Sequence, residues 1–125
     1  MTENQLSEKI LDLSFKVHRG LGPGLFESVY EEILSYELEK EGVNYERQQP
    51  IPVIWDENKM NIGFRADLII EGKVIIEIKS IEQIAMVHYK QVLTYLKLTD
   101  LRLGLLINFN EALLKNGIRR VVNGL

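Results

Sequence analysis

The chain has 125 residues, 46% hydrophobic and 26% charged, with no Cys; one domain over 1–125 is expected, and wholesale disorder, a disulfide framework, a Cys-ligated zinc and an iron–sulfur cluster are excluded. A net charge of −3 argues against bulk coating of nucleic acid, yet residues 1–57 carry −7 and residues 58–125 carry +4, so a polyanion is expected at the C-terminal half, although Glu-rich solvated helices explain the same asymmetry. With no signal-like start and no apolar run of 18 residues, a soluble cytoplasmic protein without a membrane segment is expected.

From Glu3 to about Val17, Leu6, Ile10, Leu13 and Val17 recur at helical spacing, which predicts an amphipathic helix. Gly20-Leu-Gly-Pro-Gly24 should break it, because Pro23 fixes its own φ and glycines accept positive φ. A second helix is predicted over about Leu25–Glu41, with Phe26, Val29, Tyr30, Ile33 and Leu34 on its apolar side and Gly42 as its stop. Asn44–Trp55 holds extended pieces with Pro50 and Pro52, the pattern of an edge strand, and Asp56–Lys59 reads as a turn. Met60–Ile70 and Val74–Lys79 are predicted strands joined near Glu71-Gly72. Ile84–Leu98 is predicted helical, with Val87, Gln91, Tyr95 and Leu98 on one stripe. Leu101–Phe109 reads as a buried strand, and Ile118–Val122 as a short final one. The order implies a mixed α/β domain, a sheet covered by helices.

Charges inside the two central strands carry the chemistry. Asp67 lies in FRADLII, and Glu77 and Lys79 lie in VIIEIKS. Ionised groups flanked by Ile and Leu are costly unless paired, hydrated at a cleft or bound to metal. Glu77 and Lys79, two apart on a strand, share a face. A three-residue loop Ile70-Glu71-Gly72 pairs Ile69 with Lys73, Asp67 with Ile75 and Arg65 with Glu77, leaving Asp67 and Glu77 diagonal on one face. A two-residue loop Glu71-Gly72 would put them on opposite faces. The three-residue form is expected, with Gly72 in the left-handed position.

Two acidic groups and a lysine at a strand end suit phosphodiester hydrolysis. Mg²⁺ or Mn²⁺ takes oxygen ligands and keeps several waters, and Lys79 could position the attacking water or neutralise phosphoryl charge. The bland alternative is a surface Asp beside a Glu–Lys pair on a sheet edge. Gln91 and Tyr95, four apart, share a helix side with His88; they suit a phosphate or a water, and equally a helix packed on the sheet. Glu27 sits in the first turn of its helix, where the macrodipole favours a carboxylate, and Tyr30 one turn on reads simply as core.

Taken together, HRGLGPGLFESVY (Gly24, Glu27, Tyr30), RADLIIEGKVIIEIK (Asp67, Glu77, Lys79), HYKQVLTYL (Gln91, Tyr95) and LRLGLLINF resemble the PD-(D/E)xK nuclease superfamily, and more closely its small bacterial GxxExxY family. The match runs from about Val17 to Val122, with the QxxxY element similar to that of RecB-type nucleases. The resemblance implies a restriction-endonuclease-like αβββαβ core in which Asp67, Glu77 and the Ile78 carbonyl bind Mg²⁺ or Mn²⁺, and Glu27 reaches in as a further ligand. It implies that Lys79 joins Asp67 and Glu77 in catalysis. Gln91, Tyr95, His88 and Arg65 are then expected to meet the nucleic acid, DNA before RNA, with Lys90 and Lys97 as further phosphate contacts. Ala66 replaces the Pro of the motif, a frequent variation. The chain holds little beyond the core to clamp a substrate, so a homodimer or a protein partner is a further expectation. An inactive module of the same fold, binding nucleic acid or a protein, is the alternative function.

Overall fold

The computed structural model describes all of Met1–Leu125. Helix α1 spans Glu3–Leu21 and opens with a reciprocal cap: the Gln5 N–H donates to Thr2 Oγ1 at 3.2 Å and the Thr2 N–H donates to Gln5 Oε1 at 2.9 Å. Leu6, Ile10, Leu13 and Val17 are all buried, as their spacing predicts. The helix runs on to Leu21, beyond the apolar repeat, because Gly20 stays helical and the chain turns only at Gly22, where φ is +71°. Helix α2 spans Glu27–Lys40, two residues later than expected. Tyr30, Leu34 and Leu38 form its buried side, while Phe26 precedes the helix and is 82% exposed. The predicted apolar side was thus drawn one step too far toward Phe26 and Val29.

Strands β1 (Tyr45–Trp55), β2 (Asn58–Ile70), β3 (Val74–Lys79), β4 (Leu103–Asn108) and β5 (Ile118–Val122) stand in that order in one sheet. β3 and β4 run parallel and all other neighbours antiparallel. A parallel pair requires a crossover, and helix α3 (Met86–Thr99) supplies it. β1 lies at an edge, as its two prolines predict. β3 and β4 are central, which is why VIIEIK and LGLLIN are buried almost throughout. No helix is long and apolar enough to cross a membrane.

Helices α1 and α2 cover one face of the sheet, where Leu68, Ile70, Val74, Ile76, Ile78, Leu103, Leu105 and Ile107 meet Leu6, Ile10, Tyr30 and Leu34. The Tyr30 ring stacks on Phe109, centroids 4.6 Å apart. Helix α3 covers the other face through Val92, Tyr95 and Leu96, packed with Ile51, Ala66, Ile69, Ile75 and Leu106. This differs from the expected stripe: Val87 is 66% exposed and Leu98 also reaches solvent. The helix is seated by Gly104, whose added Cβ would fall 2.5 Å from Val92 Cγ1. That close approach fixes Val92, and with it Tyr95 and Leu96, as the inward positions. The whole is the mixed sheet between helices of a restriction-endonuclease-like fold.

β2 pairs with β3 only over Leu68–Ile70, yet with β1 along nearly its whole length. From Asp67 outward, β1 and β2 therefore continue as a two-stranded arm. Side-chain alternation slips at the same point. Leu68 and Ile70 face α1 and α2, whereas Ala66 joins the α3 side and Phe64 lies 5.2 Å from Tyr95 between ring centroids.

Candidate metal centre

The hairpin between β2 and β3 decides which side chains meet. Leu68 pairs with Ile76, Ile69 with Ile75 and Ile70 with Val74, so the connecting residues are Glu71-Gly72-Lys73. The loop has the expected three residues but begins one later than predicted. Glu71 itself takes positive φ, +52°, beside Gly72 at +64°. A non-glycine is held there because Glu71 is tied twice to Asn44: its N–H donates to the Asn44 carbonyl, and its carboxylate accepts the Asn44 N–H, both at 2.9 Å. The corrected register ends at Leu68 and Ile76, one residue short of Asp67 and Glu77, and so brings the two closer than the diagonal placement expected. Arg65 is not opposite Glu77; it pairs with Pro50 on the arm. The two carboxylates are neighbours as expected, since Asp67 perturbs Glu77 directly, although strand alternation slips between Leu68 and Ala66.

At Asp67 the ladder is taken over by a side chain. The Ile78 N–H donates to Asp67 Oδ2 at 2.8 Å, which pins the carboxylate beside the end of β3. Glu77 is 5% exposed and its Oε1 has no hydrogen-bond partner. Burial pushes its carboxyl up to about 10, the neighbouring Asp67 adds to the rise through a hydrogen bond and its charge, and Lys79 opposes it. At neutral pH Glu77 therefore keeps its proton. Tyr95 belongs to the same pocket: burial first, then the charges of Glu77 and Asp67, push its phenol up to about 12.

The donor set fits a hard divalent cation. Two adjacent carboxylates, one with an orphaned buried oxygen, are costly side by side without a positive partner, and oxygen donors suit Mg²⁺ or Mn²⁺. No three Asp, Glu or His side chains converge on one point, so the rest of such a shell falls to main-chain oxygen, water or substrate.

The other expected site residues divide. Lys79 is half-buried two residues after Glu77 at the end of β3, and its carbonyl accepts the N–H of Phe109, just past β4, at 2.9 Å. Gln91 lies half-buried one turn before Tyr95. Glu27 is exposed and accepts the Ser80 N–H at 2.9 Å, while Ser80 Oγ donates to the Leu25 carbonyl at 2.5 Å; these bonds tie the start of α2 to the end of β3. His88 serves its own helix, since the Ala85 N–H donates to His88 Nδ1 at 2.9 Å. Arg65, Lys90 and Lys97 are exposed. Tyr30 does more than fill the core: its hydroxyl donates to the Gly22 carbonyl at 2.6 Å and accepts the Leu25 N–H at 3.1 Å, closing the glycine-rich loop.

Several participants escaped the sequence reading. Glu31 is buried one turn after Glu27 and is held by Arg47, whose Nε donates to Glu31 Oε2 at 3.0 Å. Gln48 Nε2 donates to Glu31 Oε1 at 2.7 Å and to Asp67 Oδ1 at 3.2 Å. Asn108, fully buried opposite Lys79, accepts the Ile81 N–H at 3.1 Å and donates to the Ile81 carbonyl at 3.0 Å. The four-residue spacing of Glu27 and Glu31 was the one available signal; nothing in ERQQP singles out Gln48. Comparison with characterised proteins and with solved structures finds no match. A family model described as the PD-(D/E)XK nuclease superfamily matches residues 4–121.

Proposed function

Because the chain belongs to the PD-(D/E)XK nuclease superfamily, we propose that it is a Mg²⁺- or Mn²⁺-dependent nuclease that hydrolyses phosphodiester bonds of DNA. The observation that carries this reading is the Asp67–Glu77 pair, in which a buried carboxyl with an unpartnered oxygen sits beside a second carboxylate at the end of a central strand. Asp67, Glu77 and the Ile78 carbonyl are the proposed ligands. Glu27 is a further ligand: the Ser80 N–H takes its Oε2 and leaves Oε1 for the ion. The bound ion supplies an acidified water and neutralises charge on the phosphoryl oxygens.

The chain's own residues do the rest. Lys79, beside Glu77 on the same strand face, holds the attacking water or the phosphoryl oxygen by a charged hydrogen bond. Gln91 and Tyr95 line the strand path with His88, while Arg65, Lys90 and Lys97 meet phosphates beyond it. The Gly24, Glu27 and Tyr30 motif supports the GxxExxY family within the superfamily. The test is to incubate linear, circular and single-stranded DNA, and RNA, with Mg²⁺ or Mn²⁺. Wild-type cleavage of DNA is expected, and Glu77→Ala or Lys79→Ala should lower it at least ~10²-fold with the circular dichroism unchanged. Equal cleavage by both variants would refute the assignment.

One observation favours a second reading. No third acidic side chain joins the pair, as suits an inactive module that binds nucleic acid or a protein partner. Salt-dependent DNA binding without cleavage in either metal would select it.

A further inference from the structure

We propose that Gln48 is a positioning residue for the metal centre: its side-chain amide bridges Glu31 to Asp67 and sets the orientation in which Asp67 meets a divalent cation. The inference rests on the metal-dependent reading above and goes beyond it, because Gln48 is not one of the proposed ligands and acts through Asp67.

Three observations carry it. The first is chemical. Both neighbours of the amide are carboxylates, so it is the nitrogen that faces them, with one N–H for each: 2.7 Å to Glu31 Oε1 and 3.2 Å to Asp67 Oδ1. The Ile78 N–H takes Asp67 Oδ2 at 2.8 Å, so the carboxylate is gripped at both oxygens and its plane is fixed. The second is the anchor. Glu31 is 6% exposed and its other oxygen receives both Arg47 Nε and an Arg47 guanidinium nitrogen at 3.0 Å. The far end of the bridge is thus a buried carboxylate on α2, ion-paired to Arg47. The third is backbone strain. Gln48 sits on β1 with φ +50°, a left-handed conformation that a non-glycine strand residue rarely adopts. It falls where the β1–β2 pairing skips the couple Gln48 and Asp67. Such outliers persist where the surroundings over-determine them, and they gather at functional sites.

The bridge links three elements that share no covalent continuity near the site: α2 through Glu31, β1 through Gln48 and β2 through Asp67. Outer partners of this kind commonly set metal affinity by 10- to 100-fold.

The experiment measures Mn²⁺ affinity by titration calorimetry, and thermal stability, for the wild type, Gln48→Gly, Gln48→Ala and Asp67→Ala. Glycine accepts φ +50° freely, so Gln48→Gly keeps the backbone and removes only the bridge, whereas Gln48→Ala also keeps the strain. The expected result is Mn²⁺ affinity at least ~10-fold weaker in both Gln48 variants, although the glycine variant melts at or above the alanine one. A purely structural role would make affinity follow stability and spare the glycine variant. Wild-type affinity retained in Gln48→Gly overturns this inference alone. A wild type that binds Mn²⁺ no better than Asp67→Ala overturns the metal reading, and this inference with it.

Discussion

Glu77 keeps its proton through the neutral range because burial and the Asp67 charge both oppose a second negative group. Between the ordinary value of 4.5 and about 10, the folded chain holds a proton here that the unfolded chain has released. The unfolded state therefore binds fewer protons in that window, and this residue's contribution to stability declines as pH rises through it. In chelator, the Glu77 contribution should fall between about pH 5 and about pH 10. Glu77→Gln should flatten that decline and melt several degrees higher near the alkaline end, ~4–8 °C for each kcal/mol recovered. Parallel melting curves for the two proteins across pH would contradict the account. The sequence made this pair visible because charge in an apolar strand is conspicuous and strand alternation is a strict rule. Gln48 was invisible, since its role depends on a positive φ in a polar run and on an α2 side chain seventeen positions away.

Two tight contacts between elements can be tested by small changes. Tyr30→Phe removes one hydroxyl that serves both the Gly22 carbonyl and the Leu25 N–H. A loss of about 1–2 kcal/mol in urea unfolding is expected, together with faster proteolysis within residues 20–25 of the folded protein. Protection equal to wild type would mean that the loop is held otherwise. Gly104→Ala places a methyl against Val92, a stiff β-branched side chain. It should destabilise by about 1–3 kcal/mol, and Val92→Ala in the same chain should recover part of that loss. Element types and most boundaries were legible from periodicity and turn residues. The face of α3 was not, because the seat that selects Val92 over Val87 is Gly104 on the following strand, and nothing in the helix's own periodicity marks it.

Across the whole molecule, a cation that binds only the folded carboxylate pair must raise its stability by mass action. Mn²⁺ at a hundred times its dissociation constant should add ~2.7 kcal/mol, seen as a higher melting temperature that Asp67→Ala lacks. An equal rise in the variant would place the ion elsewhere. The arm beyond Asp67 has another consequence. Trp55, the sole tryptophan, lies near its tip and is 69% exposed. Its emission should already resemble that of free indole in the native protein and change little on unfolding, so it is a poor gauge of the core. It is instead a built-in contact dye: whatever seats on the arm should shift the light toward blue and shield the indole from acrylamide, with no label attached.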